Sequence, residues 1–392
     1  MTASPSTLPR VAIACSGLGH VARGIESWAQ DVSAGLNRHG IPAALWGGAP
    51  GDIERMTAIR CWKRTDRSAV LAARLLRHLG GWRIGAGSAY EVEQLTFSFN
   101  LWPRIRRDFD LLHVQDPVIA TVLHRLNRAG LSRPRVILAN GTGEQPGQLR
   151  HFPLLQHLTP FAADGSPHAL VAGQSAFTIP NFIDLSTFCP GDRVAARRRF
   201  GLDEDGLVVL CCAAIRRYHK RIDYLIEEFA TFRASHPQTP ATLVIAGARE
   251  SDTEELAAMA RSRLGGHVRL LIGAPRATMP DLYRAADLFV MTSLFEMFGI
   301  VIAEAMATGL PVICHDSPSF RYVAGPAGLH GDLSRPGGLA EALGVLAVAE
   351  RRAPLAAAAR PHAQANFSEP VVIGQITQMY RAVMEAGDRA DG

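Results

Sequence analysis

Lysine is almost missing from this chain. Only Lys63 and Lys220 occur among 41 basic residues in 392, so arginine carries nearly all of the +5 net charge. That surplus is modest for the length. It fits a phosphate-bearing small molecule or an anionic surface and does not by itself indicate nucleic acid. Cysteine is sparse too: six residues, with no CxxC pair and no regular spacing, which excludes a disulfide scaffold. No His/Cys cluster of zinc type, no GxSxG and no P-loop occurs. Long apolar runs are absent; the longest, Leu207 to Ile215, falls far short of the ~20 residues that cross a bilayer. Met1 to Arg10 has no apolar signal-type core, so the expected location is cytoplasmic.

What remains is an ordinary globular composition, 47% hydrophobic and 20% charged, with a mean hydropathy of +0.06. At roughly 100–200 residues per domain, the length predicts two domains. Short apolar runs alternate with helical patterns. Val11–Cys15 reads as a buried strand, residues 22–38 as a helix with Ile25, Trp28, Val32 and Leu36 on one face, and residues 41–46 as a strand. Leu111–Val114 and residues 136–139 read as strands on either side of a helix over Pro117–Arg128. Past Pro180 the alternation restarts, with strands at residues 207–215, 241–246, 268–272, 288–292 and 311–314. Such alternation implies parallel sheet with helices on both faces. The fold class is therefore α/β, two doubly wound Rossmann-like domains facing a cleft.

Residues 59–107 break this pattern. Arg60, Lys63, Arg64, Arg67, Arg74, Arg77 and Arg83 are mixed with Trp62, Leu71, Leu75, Leu76, Leu79 and Trp82. Two readings stay open. One is a helix packed on the sheet by its leucines, with solvated arginines outside. The other is peripheral contact with an anionic bilayer through residues 59–83.

The most informative string is Ser293-Leu-Phe-Glu-Met-Phe-Gly-Ile-Val-Ile-Ala-Glu304. Glu296 sits in the loop after a strand, and Gly299 opens the following helix. Free N–H groups at such a helix start suit an anionic phosphate. Glu304 lies eight residues further on, at most ~12 Å along the helix, so the two carboxylates hold two ends of one ligand and are no acid/base pair. A second string, Ala213-Ala-Ile-Arg-Arg-Tyr-His-Lys220, puts several cations on a strand-to-helix loop. Alone, Lys220 reads as a solvated helix-start lysine. At the carboxyl edge of a parallel sheet, it and Arg216 are placed to neutralise a departing diphosphate. Gly17-Leu-Gly-His-Val-Ala22 formally matches GxGxxA, but no acid closes the next strand, where Leu45-Trp-Gly-Gly48 stands, so the match does not carry a dinucleotide site. These glycines read instead as room for a substrate or phosphate.

Together these strings resemble the retaining glycosyltransferases of the GT-B fold, family 4. The resemblance covers nearly the whole chain. It runs through Gly17–Gly19, Ile179-Pro-Asn-Phe-Ile-Asp184 with Phe188-Cys-Pro190, Lys220-Arg-Ile-Asp-Tyr-Leu-Ile226, Leu282-Tyr-Arg-Ala-Ala-Asp287 and the Glu-x7-Glu string. It implies that Glu304 grips the ribose of a nucleotide-sugar. Glu296 and the amides of Phe298, Gly299 and Ile300 would hold the sugar, and Arg216 and Lys220 the diphosphate, with Gly19 on the donor side as well. The family's arginine usually stands one or two positions further from the lysine, and Arg217 is an alternative to Arg216. The family often has a histidine after the strand matched by residues 136–139; here Asn140-Gly-Thr-Gly143 stands instead. His20, Asn140 and His151 are the acceptor-side candidates.

The resulting expectation is a retaining hexosyltransferase using a UDP-, GDP- or ADP-sugar, with no cofactor, no metal and no nucleic-acid partner. Its acceptor is a small molecule or a lipid. An acceptor domain would span residues 1–185, with a final helix at 369–388 packing back on it, and a donor domain residues 186–368. A sugar-nucleotide epimerase of the same fold and a non-catalytic sugar-nucleotide-binding or membrane-peripheral module are the alternatives. A phosphorylase is disfavoured, because its usual pyridoxal phosphate lysine has only two residues to come from.

Overall fold

Strands buried on both faces need no polar alternation, and the first strand, Val-Ala-Ile-Ala-Cys, is buried at every position. In the computed structural model, which describes residues 8–21, 24–141, 144, 146–162 and 164–391, it opens a seven-stranded sheet. The strands are β1 (Val11–Cys15), β2 (Ala43–Gly47), β3 (Met56–Ala58), β4 (Leu111–Val114), β5 (Arg135–Asn140), β6 (Leu154–His157) and β7 (Ser175–Thr178). Their order is β3-β2-β1-β4-β5-β6-β7, parallel throughout. A second sheet holds β8 (Leu207–Cys212), β9 (Ala241–Gly247), β10 (Val268–Ile272), β11 (Leu288–Val290), β12 (Val312–His315) and β13 (Gly328–Gly331). Its order, β10-β9-β8-β11-β12-β13, is again parallel.

The chain divides into two compact units. The first is residues 1–158, 168–179 and 372–392, and the second residues 159–167 and 180–371. The main crossing falls after Ile179, ahead of the expected residue 185. In the second unit, helix Ile222–Ser235 lays Ile222, Leu225, Ile226, Phe229 and Phe232 into the core at helical spacing, against Val209, Cys211, Leu243 and Ile245 of the sheet. Glu228 of that helix is buried and accepts N–H bonds from Gly337 (2.7 Å), Leu339 (3.0 Å) and Ala340 (3.0 Å), capping helix Gly338–Ala347 from outside its own sequence.

The last helix, Glu369–Asp391, belongs to the first unit from Val372 onward. There Ile373, Ile376, Met379, Tyr380 and Val383 are buried, and the Tyr380 hydroxyl meets His113 Nδ1 of β4 at 2.8 Å. Burial pushes the His113 imidazole down to about 3, so it stays neutral.

Of the two readings of residues 59–107, the one in which a helix packs by its leucines is corrected. The segment folds as two helices, Arg67–Arg77 and Ala89–Ile105, the second opened by a reciprocal cap between Ser88 and Glu91. The first helix faces inward with Ala69 and Ala73, packed near Ala86 and Val92, while Leu71, Leu75 and Leu79 are exposed. Small alanines let this helix lie close to its neighbour, with Leu76 packed beside them, and Leu71, Leu75 and Leu79 are left outside. Arg64 is no solvated arginine either: it is largely buried on Glu93.

Candidate functional site

In the second sheet the strand order reverses between β8 and β11, which are hydrogen-bonded neighbours. Ligands of open parallel sheets bind beyond the carboxyl ends of strands at such a reversal. The loop after β8 carries Arg216 to Arg221, and the loop after β11 carries Ser293 and Glu296. The two loops are tied together. Lys220 Nζ donates to Glu296 Oε1, the same oxygen accepts from Ser293 Oγ at 2.7 Å, and Thr292 Oγ1 donates to the Lys220 carbonyl at 2.7 Å. His219 Nε2 meets the Phe295 carbonyl at 2.8 Å and stands 3.6 Å from Glu296 Oε1. Holding these side chains inward costs backbone strain: His219 and Arg221 have φ of 69° and 52°. With Lys220 and Glu296 side chains only 17% and 13% exposed, the pair is screened little by water.

The two arginines preceding Lys220 differ sharply. Arg217 is engaged by surface carboxylates, at 2.6 Å to Glu255 and 3.4 Å to Asp223. Arg216 has its Nε buried with no hydrogen-bond partner. A buried guanidinium donor without an acceptor is costly, and it leaves Arg216, unlike Arg217, uncommitted at that nitrogen. Of the alternatives left open by spacing, the geometry favours Arg216.

Gly299 caps helix Ile300–Ala307 in the left-handed region at φ 73°, a conformation a side chain would strain. No side chain caps that end, so its amides are available to an anion. Phe298 turns its ring into the core against Phe367, 5.2 Å between centroids, so only its backbone faces the loop. Glu304 is buried one turn and more into the helix and accepts from the Tyr283 hydroxyl at 2.8 Å. Burial, with the Glu304 carboxylate beside it, raises the Tyr283 phenol well above its ordinary value, so it remains a donor.

The first sheet reverses between β1 and β4, and a polar cluster sits there. Ser16 N donates to Asp116 Oδ2 at 2.8 Å, and Ser16 Oγ to Glu93 at 3.0 Å. Glu93 also takes Arg64 (Nη2, 2.6 Å) and His20 Nε2 (3.0 Å). Burial would raise the Glu93 carboxyl, but the Arg64 and His20 hydrogen bonds outweigh it and hold the carboxyl below its usual range. Tyr90 donates to Asp116 Oδ1 at 2.6 Å. His20 Nδ1 is buried with no partner among the described residues.

Gly19, at φ 88°, is required by the fold itself: an added Cβ would stand 2.1 Å from the Ala49 carbonyl. The neighbouring backbone by itself demands that glycine. Asn140 closes β5 and contacts His157 Nδ1 at 3.4 Å, while burial and His168 push His157 down to about 4. His151 is exposed on a surface turn with no side-chain hydrogen bond among the described residues, so it is not drawn into the group around Asn140. Thr142 and Gly143 of the loop after Asn140 lie outside the described residues.

Sequence reading missed Tyr283, Ser293 and His219 around the two glutamates, and Ser16, Arg64, Glu93 and Asp116 in the first unit. Ser16 and Asp116 were findable, since each directly follows or nearly follows a central strand at the reversal. Glu93 and Arg64 carried no local signal. Among the described residues no His/Cys/Asp/Glu group is arranged to hold a metal ion, and no helix is long and apolar enough to cross a membrane.

Residues 192–346 match the family model described as glycosyl transferases group 1. The chain is 31% identical over 226 residues to a D-inositol 3-phosphate glycosyltransferase of Catenulispora acidiphila, covering 55% of this chain and 54% of that one. It is 33% identical over 258 residues to a D-inositol 3-phosphate glycosyltransferase of Rhodococcus jostii, covering 62% and 52%. The matched region thus spans about half the length of these relatives. Among solved structures, sucrose-phosphate synthase of Thermosynechococcus elongatus superposes with a TM-score of 0.78 at 18% identity, over 96% of this chain and 100% of that one. Anabaena HepE in complex with UDP-glucose gives 0.69 at 15%, over 95% and 100%. The two-unit α/β fold is the GT-B fold.

Proposed function

We propose, on the match of residues 192–346 to the glycosyl transferases group 1 family model, that the protein transfers a hexosyl unit from a nucleotide-sugar to an acceptor hydroxyl with retention of configuration. The observation that carries this reading is the cation arrangement at the β8/β11 reversal. Arg216 has an unpartnered buried donor, Lys220 is held inward, and an uncapped helix start stands at Gly299. As the bond from sugar to diphosphate breaks, negative charge grows on the leaving oxygens. Fixed cations and amides in a poorly screened site stabilise that charge more than the bound ground state. Glu304, oriented by Tyr283, would accept from ribose hydroxyls, and Glu296 from the sugar. The HepE complex with UDP-glucose supports a uridine diphosphate donor. Relatives named for D-inositol 3-phosphate support a polyol acceptor. In the first unit His20, held at Nε2 by Glu93, would meet the acceptor hydroxyl.

The test is a thermal-shift panel of UDP-, GDP- and ADP-hexoses, followed by turnover with a polyol acceptor. One donor should stabilise the protein and be consumed only with acceptor, and Lys220→Ala and Glu304→Ala should lose turnover. Full rate in both variants overturns the site. Nucleotide release without acceptor indicates the epimerase, and binding without turnover the non-catalytic module.

A further inference from the structure

An exposed apolar side chain is ordinary when single, but six fall together here: Trp62, Val70, Leu71, Leu75, Leu79 and Ile84 are each between 46% and 81% exposed. Four of them lie on helix Arg67–Arg77 or directly after it. The helix packs Ala69, Ala73 and Leu76 on the protein and turns Val70, Leu71 and Leu75 outward. Arg67, Arg74 and Arg77 are exposed on the same helix and make no ion pair among the described residues. No acidic residue occurs between Arg67 and Tyr90. A leucine ridge flanked by unneutralised arginines is costly in water and has no function in the first unit's core.

We propose that this face docks on an anionic lipid bilayer. Leucine and tryptophan side chains enter the boundary between headgroups and acyl chains, and arginines lie along it with their guanidinium groups on lipid phosphates. The charge selects this occupant over a second copy of the chain. In a symmetric dimer the arginine row would meet an identical row, with no carboxylate in the stretch to relieve it. The inference is independent of the transferase reading, since binding is measured without donor or acceptor.

The full chain is sedimented with vesicles of phosphatidylcholine alone, and of phosphatidylcholine with phosphatidylglycerol, at about 0.05 M and about 0.5 M salt. The expected result is pelleting with the anionic vesicles only, weakened at high salt. Leu71→Ser/Leu75→Ser and Arg67→Gln/Arg74→Gln/Arg77→Gln should each lower partitioning by about tenfold or more. These positions are exposed, so both variants should melt as the parent does; if the serine variant unfolds, the glutamine variant carries the test. Protein that stays in the supernatant, pellets equally with both lipids, or pellets undiminished in the variants overturns the proposal. A concentration-dependent dimer abolished by Leu71→Ser/Leu75→Ser, with no vesicle binding, assigns the face to a second copy and overturns it as well.

Discussion

Lys220 and Glu296 form an ion pair that joins the loop after β8 to the loop after β11, at the strand-order reversal of the second sheet. One of only two lysines in the chain is placed where two backbone segments from distant sequence meet. The pair keeps a cation inside a poorly hydrated site before any ligand arrives, and that reduces the reorganisation needed when charge develops.

Replacing Lys220 with Gln should therefore lower kcat by about 100-fold or more, with the larger effect on kcat than on donor affinity. Steady-state kinetics at saturating donor measure it. An unchanged kcat would remove Lys220 from the charge-stabilising group.

Arg216 and Arg217 should separate cleanly. Arg216→Gln is expected to weaken nucleoside diphosphate binding by about tenfold or more, because a charge-assisted contact is lost. Arg217→Gln should bind within about twofold of the parent, since Arg217 already spends its guanidinium on Glu255 and Asp223 in an exposed setting. Calorimetric titration of both variants with the diphosphate decides it; the opposite ranking would move the site to Arg217.

In the first unit, removing one member of the Arg64–Glu93 pair leaves a buried charge uncompensated. Arg64→Met should cost about 3 kcal/mol in denaturant unfolding, and Arg64→Met combined with Glu93→Gln distinctly less. Equal losses would show that packing, not charge, dominates.

His113 and His157 set an acid limit. Their folded values, about 3 and about 4, lie below the ordinary imidazole value of about 6.5. Between those limits the unfolded chain binds more protons, so stability rises with pH across the window. It should fall on acidification from about pH 6.5, by up to about 1.4 kcal/mol per pH unit for each histidine. Unfolding free energy measured at several pH values should have a shallower slope in His157→Gln.

Much of this was legible in the sequence. The alternating runs gave both doubly wound units, because strands covered on both faces are written as uninterrupted apolar stretches such as Leu207–Cys212. The Glu-x7-Glu string and the Lys220 loop stood out because they occupy strand-to-helix junctions. Three things were hidden for physical reasons. Choosing Arg216 over Arg217 requires knowing which guanidinium finds carboxylates, and the nearer of Arg217's two partners, Glu255, lies on helix Thr253–Leu264, far along the sequence. Gly19 looked like space for a ligand because backbone crowding by Ala49 leaves no trace in composition. The outward leucines of Arg67–Arg77 defeated the usual inward assignment, since alanines at 69 and 73 made the closer packing.

The bond from Tyr380 to His113 bears on the order of synthesis. A ribosome making this chain delivers β4 long before it delivers the partner, 267 residues later. Until the final helix emerges, the first unit carries an uncovered imidazole and an open apolar face where Ile373, Ile376 and Met379 belong. Nascent chains halted anywhere before residue 372 are thus expected to need chaperone protection that the released protein does not.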